Sequence, residues 1–141
     1  MNDALAMCQL LKSVACVTEK TLSSALQPLG ITYCQATVLR RLSKGSVNMS
    51  ALAETLCCNK SNVTQIVHGL LRKKLLTKIV SPQDRRQVSL SLTAEGEQAV
   101  KSIDVSLRDV ATHCFCKLSA AEKKQFCALL DGCLASCAEA H

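Results

Sequence analysis

Between Leu76 and Leu92 the hydrophobic pattern of this chain changes period, and nothing else in the sequence narrows the fold as much. Leu76-Thr77-Lys78-Ile79-Val80 and Val88-Ser89-Leu90-Ser91-Leu92 repeat every second residue, with Ser81-Pro82-Gln83-Asp84-Arg85-Arg86 between them. Such alternation predicts two strands, and a link containing Pro and Asp predicts the turn of a hairpin. One face of the second strand then carries Val88, Leu90 and Leu92 toward a core, while the tip presents Arg85 and Arg86.

The remainder reads at helical period. Ala4, Cys8, Leu11, Ala15, Leu22 and Leu26 form a stripe from Leu5 to about Leu26, which Pro28-Leu29-Gly30 ends. Thr32 predicts the cap of a helix at about 32–43 with Val38, Leu39 and Leu42 in the core and Gly45 closing it. Asn48 or Ser50 opens a short helix holding Ala51, Leu52, Ala53 and Leu56. Asn59 caps the next, whose Val63, Ile66, Val67, Leu70 and Leu71 keep the cleanest helical spacing in the chain. After the hairpin, Thr93-Ala94-Glu95-Gly96-Glu97 starts a helix to about Thr112. Ser119 and Glu122 make a capping box for a last helix with the stripe Phe126, Leu129, Leu130, Cys133, Leu134 and Cys137.

A composition 48% hydrophobic but only 2% aromatic requires a core of Leu, Val, Ala and Cys, which suits helices. The expectation is one mainly α domain over residues 1–141 with a small β-hairpin. Seventeen Lys and Arg against eleven Asp and Glu give a net charge of +6, a bias compatible with a polyanion. No uncharged apolar run is long enough to span a membrane, and Asp3 stands where a signal peptide would be basic, so a soluble, cytoplasmic protein without a membrane partner is expected. Paired catalytic carboxylates, a nucleophile elbow, a phosphate loop and any cofactor motif are missing, which argues against an enzyme.

Opposite the apolar stripe of the 59–72 helix, Ser61, Thr64, Gln65, His68 and Arg72 share one arc, flanked by Lys60 and Asn62. A major groove about 12 Å wide admits one helix, and short polar side chains suit base edges. The hairpin tip would reach the neighbouring minor groove, where a cation meets the strongest negative potential. Short helix, turn, polar-faced helix and basic hairpin are the order of a winged helix-turn-helix.

The stretch NMSALAETLCCNKSNVTQIVHGLLRKKLLTKIVSPQDRRQVSLSLTAEG resembles the MarR family of transcription regulators, most specifically in Asp84-x-Arg86 followed by V-x-L-x-L-T-x-x-G. The resemblance implies a winged helix-turn-helix at about 32–93 and a homodimer built from helices at about 3–27 and 94–138. It implies a pseudo-palindromic double-stranded operator read by Asn59, Lys60, Ser61, Asn62, Thr64, Gln65, His68, Arg72 and Arg85, with Arg86 in the minor groove and Asp84 positioning it. The family usually has Gly at the exit of the reading helix; this chain has Lys74.

Ten cysteines, most inside helical patterns, read as reduced thiols rather than a disulfide framework. Cys8 resembles the peroxide-sensing cysteine of the OhrR branch, at the same ungapped distance from Ile31-Thr32-Tyr33, and Tyr33 matches one of its flanking tyrosines. The branch's other flanking tyrosines correspond to Lys12 and Leu22. Cys127 and Cys133 are candidate resolving thiols, and a repressor whose operator affinity falls on cysteine oxidation is the first expectation. Metal or metalloid sensing through His113, Cys114 and Cys116 is the alternative, as is an aromatic ligand in the dimer cleft. Cys57-Cys58 falls in the helix-turn-helix turn, where apolar packing is expected.

Overall fold

The computed structural model describes residues 3–139. The chain runs α1 (Asp3–Leu26), a 3-10 turn (Gln27–Leu29), α2 (Tyr33–Leu42), β1 (Val47–Asn48), α3 (Met49–Leu56), α4 (Lys60–Arg72), β2 (Leu76–Val80), β3 (Val88–Leu92), α5 (Ala94–Cys114) and α6 (Ala120–Glu139). The expected hairpin is therefore the larger part of a three-stranded antiparallel sheet in the order β1-β3-β2. Val47 pairs with Leu90 and Asn48 with Ser89, closing an edge of β3 that a two-stranded reading leaves open.

Helix boundaries follow local chemistry. The Thr32 hydroxyl accepts from Gln35 N at 3.1 Å while Gln35 Oε1 accepts from Thr32 N at 3.2 Å, a complete capping box. Gly45 N donates to Leu42 O and closes α2. Asn48, not Ser50, caps α3 by accepting from Ala51 N at 2.9 Å, and Asn59 caps α4 by accepting from Asn62 N at 2.9 Å. Ser119 and Glu122 form their box at the start of α6, and the Ser119 backbone N–H, then its hydroxyl, hold the Glu122 carboxyl below its ordinary range. Helix α5 runs two residues past the expected Thr112, to Cys114, because nothing before Phe115 interrupts it.

The core lies where α2, α3 and α4 meet the sheet and the first half of α5. Leu26, Val38, Leu39, Leu52, Val63, Val67, Leu70, Leu90 and Ile103 are buried there, each Leu contributing roughly 1.5–3 kcal/mol. On β3 only Leu90 is buried; Val88 and Leu92 are half-covered because the sheet narrows at both ends. By contrast α6 buries no residue and α1 buries only Leu22 and Leu26. Two long arms thus project from a small packed head.

Lys74 has φ +59°, the left-handed conformation that favours glycine, and this is where the family's usual Gly is replaced. The strained turn is held in place because Leu75 N donates to Leu70 O, and the Thr93 hydroxyl donates to Lys74 O at 2.7 Å. Lys74→Gly should therefore raise the urea midpoint, by about 0.5–1 kcal/mol of stability after the entropy gained by the unfolded chain is subtracted. A lower midpoint would show that the Lys74 side chain contributes more than its backbone costs.

Candidate nucleic-acid interface

Helix α4 packs through Val63, Val67 and Leu70, so its opposite arc faces outward. Lys60, Ser61, Asn62, Thr64, Gln65, His68 and Arg72 are all exposed on or beside that arc. Among the described residues none of the Lys60, Ser61, Asn62, Gln65, His68 and Arg72 side chains has a hydrogen-bonding or ionic partner in the protein; Thr64 donates to Lys60 O at 2.9 Å. Asn59 is different. Its Oδ1 is committed to the cap of α4, so its first role is to fix where the helix starts.

The wing follows α4 directly, and β2 packs against that helix. Asp84 Oδ1 accepts from Arg86 N at 2.9 Å, and Gln87 N donates to Asp84 O at 3.0 Å, so the aspartate shapes the tip through backbone and leaves the Arg86 guanidinium unpaired. Arg85 and Arg86 are exposed, and Arg86 lines an open groove of about 630 Å³ between the wing and the β1–α3 junction, together with Asn48, Ser50 and Ile79. Two exposed arginines without an ionic partner among the described residues, at the end of a braced hairpin, and a helix face of short polar side chains are complementary in charge and hydrogen bonding to a duplex.

Residues 31–88 match the MarR family. Over 122 residues, 86% of this chain and 79% of that protein, the sequence is 30% identical to the HTH-type transcriptional regulator YhbI of Bacillus subtilis. The chain belongs to the MarR family. Its members are transcriptional regulators, not enzymes. A MarR-like transcription regulator of Bacillus cereus superimposes with a TM-score of 0.82 at 26% identity, covering 96% of this chain and 99% of that one. A mutant MarR of E. coli complexed with operator DNA superimposes with a TM-score of 0.84 at 23% identity, covering 94% and 96%.

In this MarR-family protein the sensing candidates are dispersed. Tyr33 borders a cleft of about 340 Å³ with Leu22, Arg40, Asp104, Leu107, Arg108 and Ala111, whereas Cys8 lies about 21 Å further up α1 from Leu22 at 1.5 Å per residue. Within one chain Tyr33 therefore does not flank Cys8, and the two could meet only across a dimer. Cys8, Cys127 and Cys133 are free and exposed. His113, Cys114 and Cys116 are not gathered into a metal site: among the described residues no group of three or more His, Cys, Asp or Glu converges. All three nonetheless border one open cavity at the end of α5, with Phe115, Phe126 and Leu129.

Cys57 and Cys58 also separate. Cys57 is the left-handed C-cap of α3 at φ +51° and points to solvent, while Cys58 packs half-buried against the core. Burial of part of its side chain, then the Glu19 carboxylate and Cys58, push the Cys34 thiol up. Among the described residues no helix is long and apolar enough to cross a membrane.

Sequence reading missed Gln35, Gly69 and Lys73. Gln35 was legible as the partner of Thr32, but only the packing of α2 on α4 brings it over Gly69, where an added Cβ would lie 2.8 Å from Gln35 Nε2.

Proposed function

We propose that this regulator is a cytoplasmic homodimer that binds a pseudo-palindromic double-stranded operator and represses transcription. The observation that carries the reading is the exposed polar arc of α4 together with the exposed Arg85 and Arg86 of a braced wing, which have no ionic partner among the described residues. The operator complex of the E. coli homologue agrees with it. Dimerisation is supported by the arms: Leu5, Leu10 and Val17 on α1 and Leu129 and Leu134 on α6 are exposed by 61–68%, a patch that calls for a second copy. Half-site centres about 34–36 Å apart follow from two-fold docking. The test is a shift assay on duplexes selected from a random pool. Binding should weaken steeply between low and moderate salt, and an affinity indifferent to salt would contradict phosphate neutralisation.

For the signal, the reading is thiol oxidation on the arms. The Cys8 thiolate attacks an organic hydroperoxide, becoming a sulfenic acid as the peroxide O–O bond breaks and an alcohol leaves. Condensation with a second arm thiol, Cys127 or Cys133, then forms a disulfide and releases water. What supports it is exposure of all three free thiols on the helices whose movement would respace the reading heads. Operator affinity should drop at least about tenfold on adding hydroperoxide to the wild type and stay unchanged in Cys8→Ser. If Cys8→Ser still responds, Cys8 is not the sensor. A second reading rests on the Tyr33 cleft, whose phenol and Arg108 guanidinium suit a small aromatic acid, while Arg40 is paired with Asp104 at 2.7 Å across the same cleft. Parallel titrations with an aromatic carboxylate, Zn²⁺ and Cu⁺ separate the alternatives.

A further inference from the structure

The run Arg72-Lys73-Lys74 looks like one basic cluster at the end of the reading helix, yet the ammonium of its middle residue is bonded back into the protein. Lys73 Nζ donates to the carbonyl of Gly30 and to Gln35 Oε1 at 3.1 Å. Gly30 ends the 3-10 turn that terminates α1, at φ +63°, and Gln35 is the capping-box residue of α2. The Gln35 amide is therefore shared: its oxygen accepts from Thr32 N at 3.2 Å and from Lys73, while its nitrogen lies against Gly69 of α4. No side chain larger than glycine fits at 69 without moving that amide.

One strap thus ties the C-terminal end of the reading helix to the point where the α1 arm meets the head. Lys73 is the C-cap residue of α4, and the bonds its ammonium makes are charge-assisted. We propose that Lys73 and Gln35 are positioning residues that lock the direction of α4 relative to the α1 arm, so that the two heads of the dimer accept a single half-site spacing. The proposal rests on the DNA-binding dimer described above. Adding one base pair between half-sites moves one of them by about 3.4 Å and turns it by about 35°, a mismatch that a rigid head cannot follow and a loosened one can.

The test uses the full chain. Wild type first selects its operator from a pool of random duplexes, and central insertions and deletions of one base pair are then made in it. Wild type should lose at least about tenfold in affinity on either change. Lys73→Met and Gly69→Ala should bind the original spacing more weakly but distinguish the three spacings by less than about threefold, and Lys73→Arg should restore discrimination. Gly69→Ala separates positioning from stability, because alanine in a helix interior offsets the displaced amide and the urea midpoint should not fall. If Lys73→Met keeps the wild-type spacing preference and instead lowers the salt slope by about one, Lys73 is a phosphate contact and the strap has no positioning role. A wild type that enriches no two-fold sequence overturns the DNA-binding reading itself, a result distinct from variants that bind but still discriminate.

Discussion

Gly96→Ala is expected to destabilise the protein by about 3 kcal/mol, a large share of the stability of a domain this size. An alanine Cβ there would lie 2.1 Å from the Leu75 carbonyl oxygen, 3.1 Å from its carbon and 3.2 Å from Leu92 Cδ2. The first two neighbours are backbone and cannot turn aside. Leu75 O accepts from Thr93 N at 3.1 Å, and Leu75 N donates to Leu70 O at 3.1 Å, so retreat would break the junction of α4, β2 and α5. The helix-propensity gain of Gly→Ala, about 1 kcal/mol, offsets only part of that cost. Urea unfolding followed by circular dichroism measures it, and a midpoint equal to wild type would mean that α5 can slide on β2 without loss. The family's T-x-x-G signature has its physical meaning here: Thr93 caps α5 by accepting from Gly96 N while donating to Lys74 O, and Gly96 lets that helix touch the strand that follows the reading helix.

Arg86→Ala should lower operator affinity between about tenfold and a hundredfold and reduce the salt slope by about one, with the urea midpoint unchanged. Among the described residues the guanidinium has no partner, and the residue is exposed, so its removal leaves nothing there unsatisfied. Asp84→Ala should produce a smaller loss by the same route, since Asp84 acts on the Arg86 backbone rather than on its charge. Gln65→Ala is expected to relax preference at one base position instead of weakening binding to all duplexes. Competition assays with selected and scrambled duplexes distinguish these effects, and equal affinity of wild type and Arg86→Ala would remove the wing from the interface.

How much of this was legible beforehand can be traced residue by residue. Thr32, Asn59, Thr93 and Ser119 announce their helices because a capping side chain bonds a backbone N–H only two or three positions ahead, an interaction contained in the sequence. The stripe Val63, Val67 and Leu70 and its polar opposite arc were readable for the same reason: helical geometry converts spacing directly into a face. Strand β1 was not readable, since two residues show no period and Val47 becomes a strand only by pairing with Leu90. Nor could the sequence separate Cys57 from Cys58, adjacent residues of which the left-handed turn leaves one exposed and the other half-buried against the core.

The Arg72-Lys73-Lys74 run shows the division most clearly. Sequence alone determined that three cations follow the reading helix and that a glycine position had been given to Lys74. Tertiary structure decided that Arg72 keeps no hydrogen-bonding or ionic partner among the described residues, that Lys73 bonds back to Gly30 and Gln35, and that Lys74 takes a strained turn held by Thr93. Local rules act within a turn of helix, whereas the fates of Lys73 and Lys74 depend on partners up to 43 positions away along the chain, brought close only when α2 packs on α4 and Thr93 meets the turn that follows it.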